Sequence, residues 1–338
     1  MKPMARVTIV DIAKELNISA STVSRALRDH PDISQETKSR VMDTATRLDY
    51  FPDSLAQGLK KRRTNTIGII IPEIEHHFFS AAISGIEDVA YKSDFTIMVC
   101  QSNEDYEREV INLRALVSNR IAGLLVSISQ TTKDISHFDI LKKRGIPVVF
   151  FDRTNDLIEH SKVIVDDYQG AFDAVTHLIE KGYKRIAHIR GPADISIGSN
   201  RFRGYEDALR KHGRLVLHEY IVDGGFRQED GSNAMRKLLD LPTRPDAVFA
   251  VNDPVAIGAY VVLKENKIKI PEEMALVGFS NNPISALLEP ALTTVEQPAY
   301  EIGATAAKTL LKQINSEDTN LEPTTQVYKT NLIIRQSS

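Results

Sequence analysis

The 338-residue sequence has no tryptophan and a single cysteine, Cys100. One thiol excludes a disulfide scaffold and a thiolate metal cluster. There is no run of about 18 apolar residues, which excludes a membrane-spanning helix. The opening Met1-Lys-Pro-Met-Ala-Arg-Val-Thr8 lacks the apolar stretch of a secretory leader. No leader is therefore expected, and the cytoplasm is the natural compartment. Catalytic signatures are missing too: no G-x-G-x-x-G after the first strand-like run, no G-x-x-x-x-G-K-[ST], no G-x-S-x-G and no H-E-x-x-H. His76 and His77 are adjacent, so on a helix they point to different faces, and Cys100 reads as a small side chain in an apolar strand. No enzyme, no cofactor and no metal site is expected.

Net charge is also scarce, at −3 overall. The average conceals an asymmetry. Residues 1–63 carry 12 Lys and Arg against 8 Asp and Glu, a net of +4, and the other 275 carry 30 against 37, a net of −7. A basic front end on an acidic body suits a chain of which one end meets phosphate. At roughly 150 residues per domain, the length accommodates two domains and a small third one.

The basic end is organised by caps and periodicity. Thr8 can cap a helix to Leu16, with Asp11 in an approximate capping box and Ile9, Ile12, Ala13 and Leu16 on one face. Asn17-Ile18 interrupts, and Ser19 can cap a second helix from Ala20 to Leu27. Its Val23, Ala26 and Leu27 face inward, while Ser21, Thr22, Ser24 and Arg25 face outward. Ser34 caps a third helix to about Leu48. The spacing reads as a helix-turn-helix, whose second helix enters a groove about 12 Å wide with small polar side chains and an arginine leading. Ser54-Leu-Ala-Gln-Gly-Leu59 is too short to be a stable helix alone. Lys60-Lys-Arg-Arg63 follows, and suits phosphate contact beside such a module.

From Thr66 onward, buried strand-like runs alternate with helical patterns. Strands near 67–71, 95–99, 122–126 and 147–150 form one series. Val163-Ile-Val165 opens a second, continued at 185–189, 247–251 and 275–279. Alternation of this kind predicts α/β subdomains with doubly wound parallel sheets, and ligands bind beyond the carboxyl ends of such strands. The informative positions are then Pro72 to Phe79, Asp152-Arg153, Gly191 to Arg201, Asn252-Asp253 and Ser280-Asn-Asn282. Each taken singly also reads as a helix cap, Asp253-Pro254 and Asp167 in particular.

Three blocks carry a resemblance: Val7-Thr-Ile-Val-Asp-Ile-Ala-Lys-Glu-Leu16, Ser21-Thr-Val-Ser-Arg-Ala-Leu27 and Tyr50-Phe-Pro-Asp-Ser-Leu-Ala-Gln-Gly-Leu59. In order and spacing the chain resembles the headpiece of the lactose/galactose repressor family of bacterial transcription factors. Arg201-Phe-Arg-Gly-Tyr205, Phe249-Ala-Val-Asn-Asp253, Val277-Gly-Phe279 and Pro290-Ala-Leu-Thr-Thr-Val-Glu-Gln-Pro298 are similar to that family's effector domain, which is periplasmic-binding-protein-like. The resemblance implies an all-α headpiece (1–52), a hinge helix with basic linker (53–65) and an effector-binding and dimerisation domain (66–338). Within the last, one subdomain takes about 66–160 and 291–322, the other about 161–290 and 323–338.

It further implies that Thr8, Ser19, Ala20, Ser21, Thr22, Ser24, Arg25, Arg28, Ser34, Tyr50, Ser54, Ala56, Leu59 and Lys60 face DNA, with Leu59 wedged into the minor groove. Phe78, Phe79, Asp152, Arg201, Asn252, Ser280 and Gln297 are implied for a small effector, carbohydrate-like. Ser280 departs from the family, which usually has an effector-binding aspartate there; its loss points to an anionic or differently shaped ligand. The implied partners are double-stranded operator DNA, the effector and a second copy in a homodimer, at the nucleoid of a bacterial cytoplasm. Two other readings stay open: a regulator whose body senses no ligand, and a solute-binding protein.

Overall fold

The computed structural model describes residues 7–50, 64–155, 157–316 and 321–338. The chain divides into two compact units, residues 1–64 and 65–338. The hinge assignments at Ser54, Ala56, Leu59 and Lys60 lie outside the described residues.

The first unit holds α1 (Ile9–Leu16), α2 (Ala20–Ala26) and α3 (Gln35–Arg47). Each forms where the caps require. Asp11 accepts from both the backbone N–H and the hydroxyl of Thr8. Ser19 accepts from the Thr22 N–H, and Ser34 from the Thr37 N–H. Asn17 ends α1 in a left-handed conformation (φ 54°) that its short polar side chain tolerates. Ile12, Ala13, Val23, Ala26, Val41 and Ala45 form the buried core, with Leu16, Ile18, Leu27, Leu48 and Tyr50 packed around it.

The second unit contains two six-stranded sheets. The first is built by β1 (Thr66–Ile71), β2 (Thr96–Gln101), β3 (Gly123–Val126), β4 (Val148–Phe151), β5 (Ser161–Val165) and β11 (Thr325–Tyr328), in the order β11-β5-β4-β3-β1-β2. The second is built by β6 (Ile186–Arg190), β7 (Ile221–Asp223), β8 (Ala247–Ala250), β9 (Ala275–Phe279), β10 (Thr293–Glu296) and β12 (Asn331–Ile333), in the order β12-β10-β9-β8-β6-β7. All pairings are parallel except β10 with β12. The central strands are apolar throughout because helices cover both faces.

On the first sheet lie α4 (His77–Tyr91), α5 (Tyr106–Ser118), α6 (Asp139–Arg144) and α11 (Ala299–Asn315). The second carries α7 (Asp167–Glu180), α8 (Ser196–Lys211), α9 (Gln228–Leu239) and α10 (Asp253–Glu265). Gly85 and Gly303 let α4 and α11 touch backbone to backbone. A Cβ on Gly85 would stand 2.1 Å from the Tyr300 carbonyl oxygen, and one on Gly303 2.0 Å from that of Ala82.

Three strands change lobe relative to expectation. The run at 161–165, expected to open the second series, pairs with β4 and β11 in the first sheet. The strand at 293–296, expected with the first subdomain, pairs with β9 and β12 in the second. The strand at 325–328, expected in the second, lies in the first. An apolar run announces a strand, but its periodicity says nothing about which of two sheets will take it. The chain therefore crosses between lobes after β5, after β10 and after β11.

Candidate functional sites: an exposed helix face and an interlobe cleft

In the headpiece, α2 turns Val23 and Ala26 into the core and exposes Ser21 and Arg25, with Ala20, Thr22 and Ser24 half-buried and Arg28 exposed in the turn that follows. The hydroxyls at its start bond to one another: Ser19 Oγ is 2.7 Å from Ser21 Oγ and 2.8 Å from Thr22 Oγ1. Hydroxyls can rotate, so this cluster presents donors and acceptors at an N-terminus that favours anions. Thr8 is exposed, its hydroxyl given to Asp11. Ser34 is exposed at the start of α3, and Tyr50 packs half-buried against the core. Outside this face, Glu15 and Arg47 pair between α1 and α3, and Asp29 pairs with Lys38.

The cleft of the second unit is assembled from strand ends of both lobes. Asp152 follows β4 with a left-handed backbone (φ 59°), and Ser280 follows β9 at φ 112°. Such conformations in non-glycine residues store strain of about 1–3 kcal/mol and concentrate where function needs a fixed geometry. Asp152 is buried, and its Oδ2 accepts a long bond (3.4 Å) from the Ser127 hydroxyl. Burial pushes its carboxyl up to about 6, against the opposing pull of Arg153.

Beside it, Arg153 donates to Glu104 Oε1 at 2.6 Å. Its guanidinium stands 5.5 Å from the ring centre of Phe79 in the first lobe and 4.1 Å from that of Phe226 in the second. The Phe226 carbonyl accepts from the Asn252 amide at 2.9 Å, while Asn252 Oδ1 caps α10 through the Val255 N–H. Next in line, Arg201 sits inside α8 rather than at its expected start. It donates Nη1 to the Val251 carbonyl, and Nε and Nη2 to Asp167 Oδ1 at 2.8 and 2.6 Å, with its plane 3.6 Å over Phe279. Arg201 and Asp167 are both almost fully buried.

The structure thus brings Phe79, Asp152, Arg201, Asn252 and, next to Phe279, Ser280 into one chain of contacts. Phe78 meets Phe79 edge-on at 5.4 Å and belongs mainly to the first lobe's core. Gln297 follows β10; its Nε2 is buried without a hydrogen-bond partner. A hollow of about 650 Å³ lies elsewhere between the lobes, lined by residues such as Glu73, Gln101, Arg227, Pro254 and Ile284. None of the seven expected effector residues lines it. Fixed, convergent polar groups mark the strained, buried constellation, which lies apart from the hollow.

At the edge of this hollow, Glu73 takes Arg227 Nε at 2.7 Å across the lobes and lies 3.2 Å from His76. These partners hold its carboxyl down at about 2. Thr154 and Ser196 also bridge the lobes, through the Ser196 hydroxyl. The cap reading of Asp253 is displaced by one residue, since Asn252 is the cap. Asp253 is fully buried and accepts from Thr294 Oγ1, Ser285 Oγ and the Asn282 N–H at 2.5–2.7 Å. Sequence reasoning missed Glu104, Phe226 and the Glu73–Arg227 pair. The signal available for Phe226 was Gly224-Gly225 after the short β7, a glycine turn at a strand end.

Among the described residues, no helix is long and apolar enough to cross a membrane. Comparison with known proteins matches residues 8–53 to the bacterial regulatory proteins of the lacI family and residues 175–338 to the periplasmic binding protein-like domain. The HTH-type transcriptional repressor CytR of Escherichia coli K12 is 36% identical over 334 residues, 98% of this chain and 96% of its own length. Catabolite control protein A of Priestia megaterium is 34% identical over 312 residues, covering 92% and 93%. Among solved structures, the complex of the transcriptional regulator CelR with cellobiose superposes with a TM-score of 0.76 at 27% identity, covering 98% of this chain and 100% of the other. A helix-turn-helix unit, two parallel-sheet lobes and near full-length relatives agree, and the chain belongs to the lacI family of bacterial regulatory proteins.

Proposed function

We propose that the protein is an effector-responsive transcriptional repressor of bacterial cytoplasm that binds a pseudo-palindromic operator as a homodimer. The observation that carries this reading is the division of α2, with Val23 and Ala26 in the headpiece core and Ser21 and Arg25 turned outward, followed by the exposed Arg28. A short helix so divided fits the major groove. Two-fold protein symmetry asks for two-fold DNA. Exposed apolar side chains support a second copy: Val261, Ile284 and Leu287 on one lobe, Ile74 and Tyr91 on the other.

The effector reading rests on the cleft. Phe79, Asp152, Arg201, Asn252, Ser280 and Gln297 surround a ligand there, with Phe78 supporting Phe79. Cellobiose in the CelR complex supports a carbohydrate-like effector. Ligand-dependent lobe closure changes the spacing of the two hinges, a coupling of typically about 1–3 kcal/mol that is reciprocal between DNA and effector. The hinge of residues 53–65 and the Leu59 wedge belong to the same proposal.

The test begins with selection of an operator from random DNA. Arg25→Ala is expected to weaken the selected site about 5- to 150-fold, in keeping with loss of one base or phosphate anchor. The body should stay folded, and the affinity of the unaltered protein should fall steeply with salt. An unchanged Arg25→Ala affinity, or a flat salt response, removes α2 from the DNA interface.

A further inference from the structure

Among the described residues, three guanidiniums reach the space between the lobes, and each is already met by a carboxylate of this chain. Arg153 is held by Glu104, Arg201 by Asp167 and Arg227 by Glu73. Asp152 adds a fourth carboxylate, whose nearest cation is Arg153 Nε at 3.8 Å. At the rim, Lys133 is likewise paired, with Asp194. Among the described residues the cleft therefore holds no surplus cation, and with Asp152 ionised these groups are net negative.

The hydrogen-bond geometry points the same way. A guanidinium grips a phosphate or carboxylate by offering two parallel N–H groups. On Arg201, Nε and Nη2 are both committed to Asp167 Oδ1, and Nη1 to the Val251 carbonyl. An anion placed beside it also meets the Asp167 charge, in a buried setting that little solvent screens. The groups left open are the unpartnered Gln297 Nε2, the half-buried Ser280, the weakly bonded Ser127 hydroxyl and a single N–H of Arg153, its Nε, on a guanidinium whose charge Glu104 already meets and Asp152 flanks at 3.8 Å.

We propose that the cleft selects an uncharged, hydroxyl-bearing ligand over its phosphorylated or carboxylated counterpart, and that Asp167 is the specificity-determining residue. This rests on the effector reading above. It also reverses the anionic ligand that the serine at position 280 suggested, because Asp167 and Glu104 supply the negative charge that Ser280 lacks.

The test uses the full chain and inorganic phosphate, against chloride at equal ionic strength. Asp167→Asn keeps an oxygen to accept from Arg201 Nε and Nη2 but removes the charge. The unaltered protein should melt at the same temperature in both salts. Asp167→Asn should gain a phosphate-specific rise in melting temperature, with a phosphate Kd at least tenfold lower than that of the unaltered protein, and adding Arg201→Gln should abolish the gain. Should Asp167→Asn not fold, Glu104→Gln beside Arg153 carries the same measurement. Phosphate binding by the unaltered protein, or no gain in a folded variant, overturns the proposal.

A second arm compares ribose with ribose 5-phosphate, glucose with glucose 6-phosphate, and adenosine with AMP. Stabilisation by the uncharged member alone supports charge selection. Equal or tighter binding of the phosphorylated member overturns it while leaving the effector reading intact. If no compound binds but Asp167→Asn gains phosphate, charge selection stands and the effector reading loses its support.

Discussion

The headpiece and the cleft solve the placement of polar groups in opposite ways. At the helix starts of the headpiece the polar groups stay at the surface and bond to neighbours three residues away or fewer, as Ser19 does with Ser21 and Thr22. In the cleft they are buried and find partners far along the chain. Arg201 reaches Asp167 across 34 residues, Arg153 reaches Glu104 across 49, and Arg227 reaches Glu73 across 154. An exposed local cluster is inexpensive to expose, rearrange and re-pair with DNA. A buried charge left unpaired costs several kcal/mol, so the cleft is pre-organised and its ligand must fit the existing pairs.

That contrast can be broken most forcefully through the headpiece core. Ile12 is fully buried among only six core residues. Ile12→Ala should cost about 2–5 kcal/mol, enough to unfold so small a module. Calorimetry should then show the headpiece transition lost and that of the body unmoved; a shift in both would mean the two units share a core.

The next effect sharpens the cleft side. Burial raises Asp152 from 3.8 to about 6, so the folded state prefers the protonated carboxyl. Its contribution to stability is complete below pH 4 and lost as pH rises through 6, about 3 kcal/mol in all. His188 acts oppositely. Burial holds it down at about 4, and its contribution is lost as pH falls below 6.5 towards 4. Asp152→Asn isolates the first effect: relative to the unaltered protein, it should gain stability between pH 4 and 7. A constant difference across that range would mean that Asp152 is solvated in solution.

The smallest effect returns to the headpiece. Ser19→Ala removes the cap of α2 and should cost about 1 kcal/mol, seen as a small drop in the headpiece transition. Operator affinity should weaken slightly and the pH response of the cleft should not change. A headpiece transition left where it was would show that α2 is held by packing alone.

What could be read in advance follows the same division. Thr8, Ser19 and Ser34 were identifiable as the residues before three helices because caps act over three residues. Asp152, Arg201 and Asn252 stood out because they end strands or match a family pattern. Glu104 carries no such mark, since a glutamate in a polar stretch after β2 looks like any solvated charge. Asp167 suggested a helix cap, yet Asp166 caps α7 and Asp167 turns inward to Arg201. Here a shift of one residue separates a solvent-facing cap from a buried counterion, and local pattern cannot resolve it.

Short-range pattern was enough for the elements and their kind: three capped helices with a common apolar face, apolar strands that require cover on both sides, and a basic end distinct from an acidic body. These follow from periodicity and charge, which act over short stretches of chain. The packed fold alone settles that β5 and β11 complete one sheet while β10 and β12 complete the other, so that the chain crosses between lobes three times. It alone decided which carboxylate neutralises which arginine. Those outcomes depend on distances between residues far apart in sequence, and burial makes them energetically decisive, because a charge removed from water must find its partner wherever the fold has placed one.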